Sequence, residues 1–133
     1  MSEAAIAEAL KLPEDHPVSV ATADAAGTPH LACAGALEEA DDGSVRVAEW
    51  FCPGTVENVA ENRRVSLTVW DERSDRGYQM IGEVRRVETL GVLDGYAGDL
   101  EDESDIPQVR RGLVVSVERI LDFSRAPHSD REE

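Results

Sequence analysis

Few residues in this chain are suited to catalysis or ligation, and their spacing narrows the choice. The candidates are two cysteines, Cys33 and Cys52, and three histidines, His16, His30 and His128. None of the five stands at the short intervals that let Cys and His sets converge on one zinc ion, so no metal site is expected. Each thiol reads first as a small buried hydrophobe, with redox chemistry as the alternative. Two cysteines are too few for a disulfide framework. His16 precedes a proline and His128 lies close to the C-terminal end. His30 opens a β-prone stretch, where an imidazole can stack or move a proton, although a histidine on a strand edge is the plainer reading. The glycines of GVLDGYAG (91–98) miss the G-x-G-x-x-G spacing, and no G-x-S-x-G, P-loop or H-E-x-x-H pattern occurs. Nothing therefore supports a dinucleotide fold, a hydrolase, a nucleotide triphosphatase or a zinc peptidase.

The elements that must position these residues follow from periodicity. Residues 2–11 form an Ala-rich helical stretch with Ser2 as cap and Pro13 as stop, so a helix is expected within 1–12. VSVATA (18–23) alternates as a strand does, and DAAG (24–27) is a turn in which Gly27 is free to take positive φ. HLACAGAL (30–37) returns as the second arm of a hairpin, followed by the acidic turn 38–44 and the strand VRVAEWF (45–51). On that strand the adjacent Trp50 and Phe51 must face opposite ways. Thr55, with Val56, Val59 and Ala60 behind it, predicts an N-cap and a helix of about two turns. VSLTVWD (65–71), YQMIGEVRRVET (78–89) and LVVSVERILDF (113–123) complete the strands. Gly82 inside the second of these predicts a bulge or the close approach of another backbone. The segment 89–100 has helical spacing weakened by three glycines, 101–105 is an acidic loop, and 125–133 reads as a flexible tail. The result is a mostly β chain with short helices: a six-stranded antiparallel barrel forming one domain over 1–133.

Charge excludes some partners. The chain carries 28 acidic residues against 13 basic ones, for a formal charge of −15. So negative a surface repels nucleic acid and anionic membranes, which both need a basic footprint. No apolar run approaches the length of a membrane span, and MSEAAIAEALKLPEDHP lacks the plan of a signal peptide, so a cytoplasmic location is expected. The acidity reads as a solubility coat or as adaptation to a salt-rich cytoplasm, where screening relieves carboxylate repulsion.

Four segments in order carry a resemblance. HPVSVATADAAGTPHLACAG, VRVAEWFCPGTVENVAENRRVSLTVWD, GYQMIGEVRRVE and SVERILDFS together resemble the FMN-binding split barrels related to pyridoxamine 5′-phosphate oxidase. The resemblance implies an FMN-binding split β-barrel and a homodimer with the flavin in a groove between subunits. It places His30, Cys33 and Ala34 beside the flavin ring and ribityl chain, with Glu49, Trp50, Phe51 and Cys52 as the facing wall. Thr55 and Asn58 fall around the phosphate-binding helix, Gln79 on a strand near the flavin edge, and Arg111 in a segment the partner subunit contributes. Gly54 stands where many members carry a lysine or arginine. A helix N-terminus there offers unpaired N–H groups to a phosphate, and glycine permits close approach. Redox chemistry with a small-molecule partner is the implied function; no catalytic acid or base is singled out. A substrate-phosphate set of basic residues is missing, which argues against pyridoxamine-phosphate oxidase activity itself. The other reading is a non-catalytic barrel that binds haem or a deazaflavin, or serves as an apo interaction module.

Overall fold

A computed structural model of the chain describes residues 3–11, 18–50, 52–93 and 108–132. The elements run α1 (Glu3–Ala9), β1 (Val18–Ala23), β2 (Pro29–Ala34), β3 (Ala36–Glu39), β4 (Val45–Trp50), α2 (Pro53–Glu61), β5 (Arg64–Asp71), β6 (Arg76–Leu93), β7 (Gln108–Asp122), β8 (Ser124–Arg125) and β9 (His128–Ser129). The main sheet has seven strands in the order β2-β1-β5-β6-β7-β4-β3, every neighbouring pair antiparallel. Its two outermost strands are consecutive in sequence. The expected strand 30–37 bends at Gly35, pairs with β1 before the bend and with β4 after it, and so makes seven strands of the expected six. The Gly35 N–H donates to the Ala48 carbonyl at 2.9 Å, which holds the bend against β4 and curls the sheet into a half-barrel.

Alternation decides which face is core. Val20, Leu67, Met80 and Ile120 lie side by side on β1, β5, β6 and β7, and all are fully buried. Val45, Val115 and Val84 form a parallel row on β4, β7 and β6. Ala5 and Ala9 of α1 seal part of this core, and the Glu8 carboxylate ties the helix to β6 by accepting from the Tyr78 hydroxyl and pairing with Arg76. The Tyr78 hydroxyl holds the Glu8 carboxyl below the usual carboxylate range.

Several local expectations hold for the reasons given. Gly27 has φ 90°, and the Asp24 carboxylate closes that turn by accepting from the Ala26 and Thr28 amides. The β6–β7 register shifts between Ile81 and Gly82, where a Cβ on Gly82 would collide with the Ser116 carbonyl. Other segments differ. The stretch 90–93, within the segment whose helical spacing its glycines weaken, continues β6 because β7 pairs with it as far as Leu93–Gln108; 94–100 lies outside the described residues. The segment expected to be a free tail carries the β8–β9 ladder. Asp75 accounts for this, since its carboxylate accepts from the Arg125 amide at 2.8 Å and the Ala126 amide at 2.7 Å. No helix among the described residues is long and apolar enough to cross a membrane.

Candidate functional site

The polar residues that converge do so around the first turn of α2. Pro53 occupies the first helical position, where its missing N–H costs nothing, and Cys52 is the N-cap. Thr55 is therefore not the cap but a residue of the first turn, because Pro53 sets the start of the helix earlier than the apolar pattern does. The Cys52 side chain makes no capping hydrogen bond, and the first turn holds no acidic residue. The positive end of the helix is thus left uncompensated by its own side chains.

Three contacts fix α2 against the β1–β2 hairpin. Val59 is buried in the core. Asn58 Nδ2 donates to Thr22 Oγ1 at 2.9 Å, and the Ala25 amide donates to Glu61 Oε1 at 3.2 Å. Thr22 is buried and lies opposite His30 in the β1–β2 register. His30 itself is exposed, with its imidazole over Gly54: a Cβ added there would sit 2.9 Å from Nε2 and 3.3 Å from Cε1. The missing side chain of Gly54 accordingly leaves room for the His30 ring.

Thr55 is completely buried, and its hydroxyl finds no hydrogen-bond partner. An isosteric Thr55→Val replacement removes a desolvated hydroxyl, so it is expected to raise the unfolding free energy of the ligand-free protein by about 1 kcal/mol. Urea titration checks this; a loss of similar size would mean that the hydroxyl is satisfied in solution.

The other expected site residues are distributed more widely. Ala34 is buried beside the Gly35 bend, and Cys52 is half-buried. Cys33 and Gln79 belong to the sheet face turned away from the core, in one row with Ser19 and Thr68. Three strand spacings separate them, about 14 Å. Gln79 donates from Nε2 to Ser66 Oγ at 2.7 Å. Glu49 and Trp50 pair through the β4 backbone with Arg111 and Arg110 of β7, and Phe51 lies outside the described residues. His30, Gly54, Thr55 and Asn58 thus come together, whereas Cys33 and Gln79 lie on the outward face of the sheet. Thr22 and Ser66, the partners of Asn58 and Gln79, escaped the sequence reading. Thr22 had a signal, a hydroxyl at the inward parity of Val18 and Val20.

Arg64, Arg76 and Arg86 are held in ion pairs. Arg64 pairs with Glu118 and Glu83, Arg76 with Glu8, and Arg86 with Glu88. Hydrogen bonding to Glu118 raises the Arg64 guanidinium above its ordinary value. Among the described residues, no group of three or more Cys, His, Asp or Glu side chains is arranged to hold a metal ion.

Known structures share this architecture. A Group A Streptococcus HupZ superposes with a TM-score of 0.64 at 21% identity, covering 93% of this chain and 96% of that one. A pyridoxamine 5′-phosphate oxidase-related, FMN-binding protein from Nostoc punctiforme PCC 73102 gives a TM-score of 0.64 at 12% identity, over 97% and 90% of the two chains. An F420 reductase gives 0.59 at 18% identity, over 85% and 93%. No curated protein matches the sequence. The sequence model of the pyridoxamine 5′-phosphate oxidase family matches residues 2–123, nearly the whole barrel. With four segments in order, a split barrel closed at Gly35 and that match, the chain belongs to the pyridoxamine 5′-phosphate oxidase family.

Proposed function

We infer that this protein binds FMN at the interface of a homodimer and serves redox chemistry with a small-molecule partner in the cytoplasm. The observation that carries the reading is the first turn of α2: an uncapped helix N-terminus with a buried, unpartnered Thr55 hydroxyl and no acidic residue. Such a turn suits the phosphate end of a flavin nucleotide, because oriented N–H groups and the helix dipole both favour an anion. Gly54 and Thr55 are the residues to hold that phosphate, with Asn58 keeping α2 in place through Thr22. Ala34, Glu49, Trp50, Phe51 and Cys52 are then the residues along the ring and ribityl chain. Bound FMN supplies reversible electron and hydride transfer at its ring system.

A second copy suits the outer face of the sheet. Leu31 is 69% exposed there, in a row with the small side chains of Ala21 and Ser66. Covering this apolar side chain favours association. The same face carries Cys33 and Gln79, so a dimer brings them into a site that one subunit leaves incomplete. Arg111 is the residue proposed to reach the flavin from the partner.

The test is a visible spectrum of purified protein before and after FMN addition and desalting, with light scattering alongside. Retained two-banded flavin absorption on a dimer supports the reading. Colourless protein after FMN addition, or monomer alone at micromolar concentration, counts against it. The likeness to an F420 reductase keeps a deazaflavin as the second ligand for the same spectroscopic test.

A further inference from the structure

The contact between His30 and Gly54 joins two elements in a way that neither explains alone. His30 is exposed on β2, yet its ring is not directed freely into solvent: Nε2 fills the space over the first turn of α2 that any side chain at 54 would take. Beneath it, the turn has no side-chain cap and no acidic residue, and the fully buried Thr55 hydroxyl has no partner. An imidazole N–H and a helix N-terminus both donate to anions, and their fields add when they address one ligand. An anion bound between the ring and this positive end would meet donors from both elements.

We propose that His30 is an anion-positioning residue: its imidazole and the first turn of α2 together grip a terminal phosphate, with Gly54 kept side-chain-free so that the ring can reach it. The donor is delivered from β2 instead of from the helix. This inference rests on the phosphate-end reading above, but it concerns inorganic phosphate as much as FMN, and that allows the two to be separated.

The probes are inorganic phosphate, followed through the Gly54 and Thr55 amide resonances, and FMN and riboflavin, followed by fluorescence. Wild type, His30→Ala, His30→Gln and Gly54→Ala are compared, with unfolding midpoints as a check on folding. Phosphate is expected to shift both amides in wild type. His30→Ala should weaken phosphate and FMN roughly tenfold, the scale of one hydrogen bond to a charged group, and leave riboflavin unchanged. His30→Gln, which keeps an N–H donor, should recover part of the loss. Gly54→Ala should displace the ring and cost about as much as His30→Ala, with little further loss in the double variant. Unchanged phosphate affinity in a folded His30→Ala variant overturns the proposal, and so does wild-type protein whose two amides ignore phosphate. If phosphate binds in a His30-dependent way but FMN is not retained, the proposal stands and the flavin reading falls. If FMN binds equally well without the imidazole, the flavin reading stands and the proposal falls.

Discussion

Replacing Gly82 with alanine is expected to destabilise the fold by about 3 kcal/mol, with the loss visible as a lower urea midpoint at unchanged slope. A Cβ at this position would run into the Ser116 carbonyl and crowd the Val117 Cα, which lies 3.0 Å away. Both are backbone atoms of a paired central strand, so no side-chain rotation relieves the clash. The register shift between Ile81 and Gly82 would have to be redrawn, and the pairs on either side with it. Gly35 supplies the control. There a Cβ meets only the Ala48 carbonyl, at 3.9 Å, and Gly35→Ala is expected to leave stability within about 0.5 kcal/mol. Equal effects at the two positions would show that general glycine entropy, not the close approach at the bulge, sets the cost.

The second large effect is expected at Leu67. It occupies the middle of the fully buried row Val20, Leu67, Met80 and Ile120. Truncation to alanine removes apolar contact on a central strand whose neighbours are held by ladders on both sides, so the cavity collapses only in part. The expected loss is about 3–4 kcal/mol in denaturant unfolding. Leu31→Ala, on the exposed face of the neighbouring hairpin arm, should by contrast cost the isolated subunit about 0.5 kcal/mol or less. A small loss at Leu67 would mean that the row is not the centre of the core.

The strands were legible because alternation and β-branched residues agree along most of their length. VSVATA shows Val18, Val20 and Thr22 buried on one face, as its period of two requires. Gly82 announced its own bulge. What stayed hidden depended on partners distant in sequence. Nothing within HLACAGAL says that its two halves pair with different strands; that is decided by β1 and β4 and fixed by one hydrogen bond at Gly35. The start of α2 was misplaced by three residues because Pro53, an N1 signal, was outweighed by the apolar face beginning at Val56. The extent of β6 past Thr89 follows from its pairing with β7, against the local glycines. In the candidate site, the helix that carries Gly54, Thr55 and Asn58 was legible, but the placement of His30 over Gly54 was not. A ring from β2 filling the space over Gly54 is a tertiary fact, and a substitution of glycine for a basic residue reads in sequence only as a loss.

The bend at Gly35 also bears on how fast the molecule can form. One continuous stretch closes the barrel by bridging β1 and β4, and it can do so only after those strands are in place. β4 must first find β7, with Val45 opposite Val115, and β1 must find β5, with Val18 opposite Val69. Such distant pairings incur loop-closure entropy before any contact rewards them, so folding belongs in the millisecond-to-second range of non-local β proteins. Closure at Gly35 then comes after the rate-limiting step. Weakening the Gly35–Ala48 contact should quicken unfolding and leave the folding rate nearly untouched, making the bend the fold's kinetic clasp.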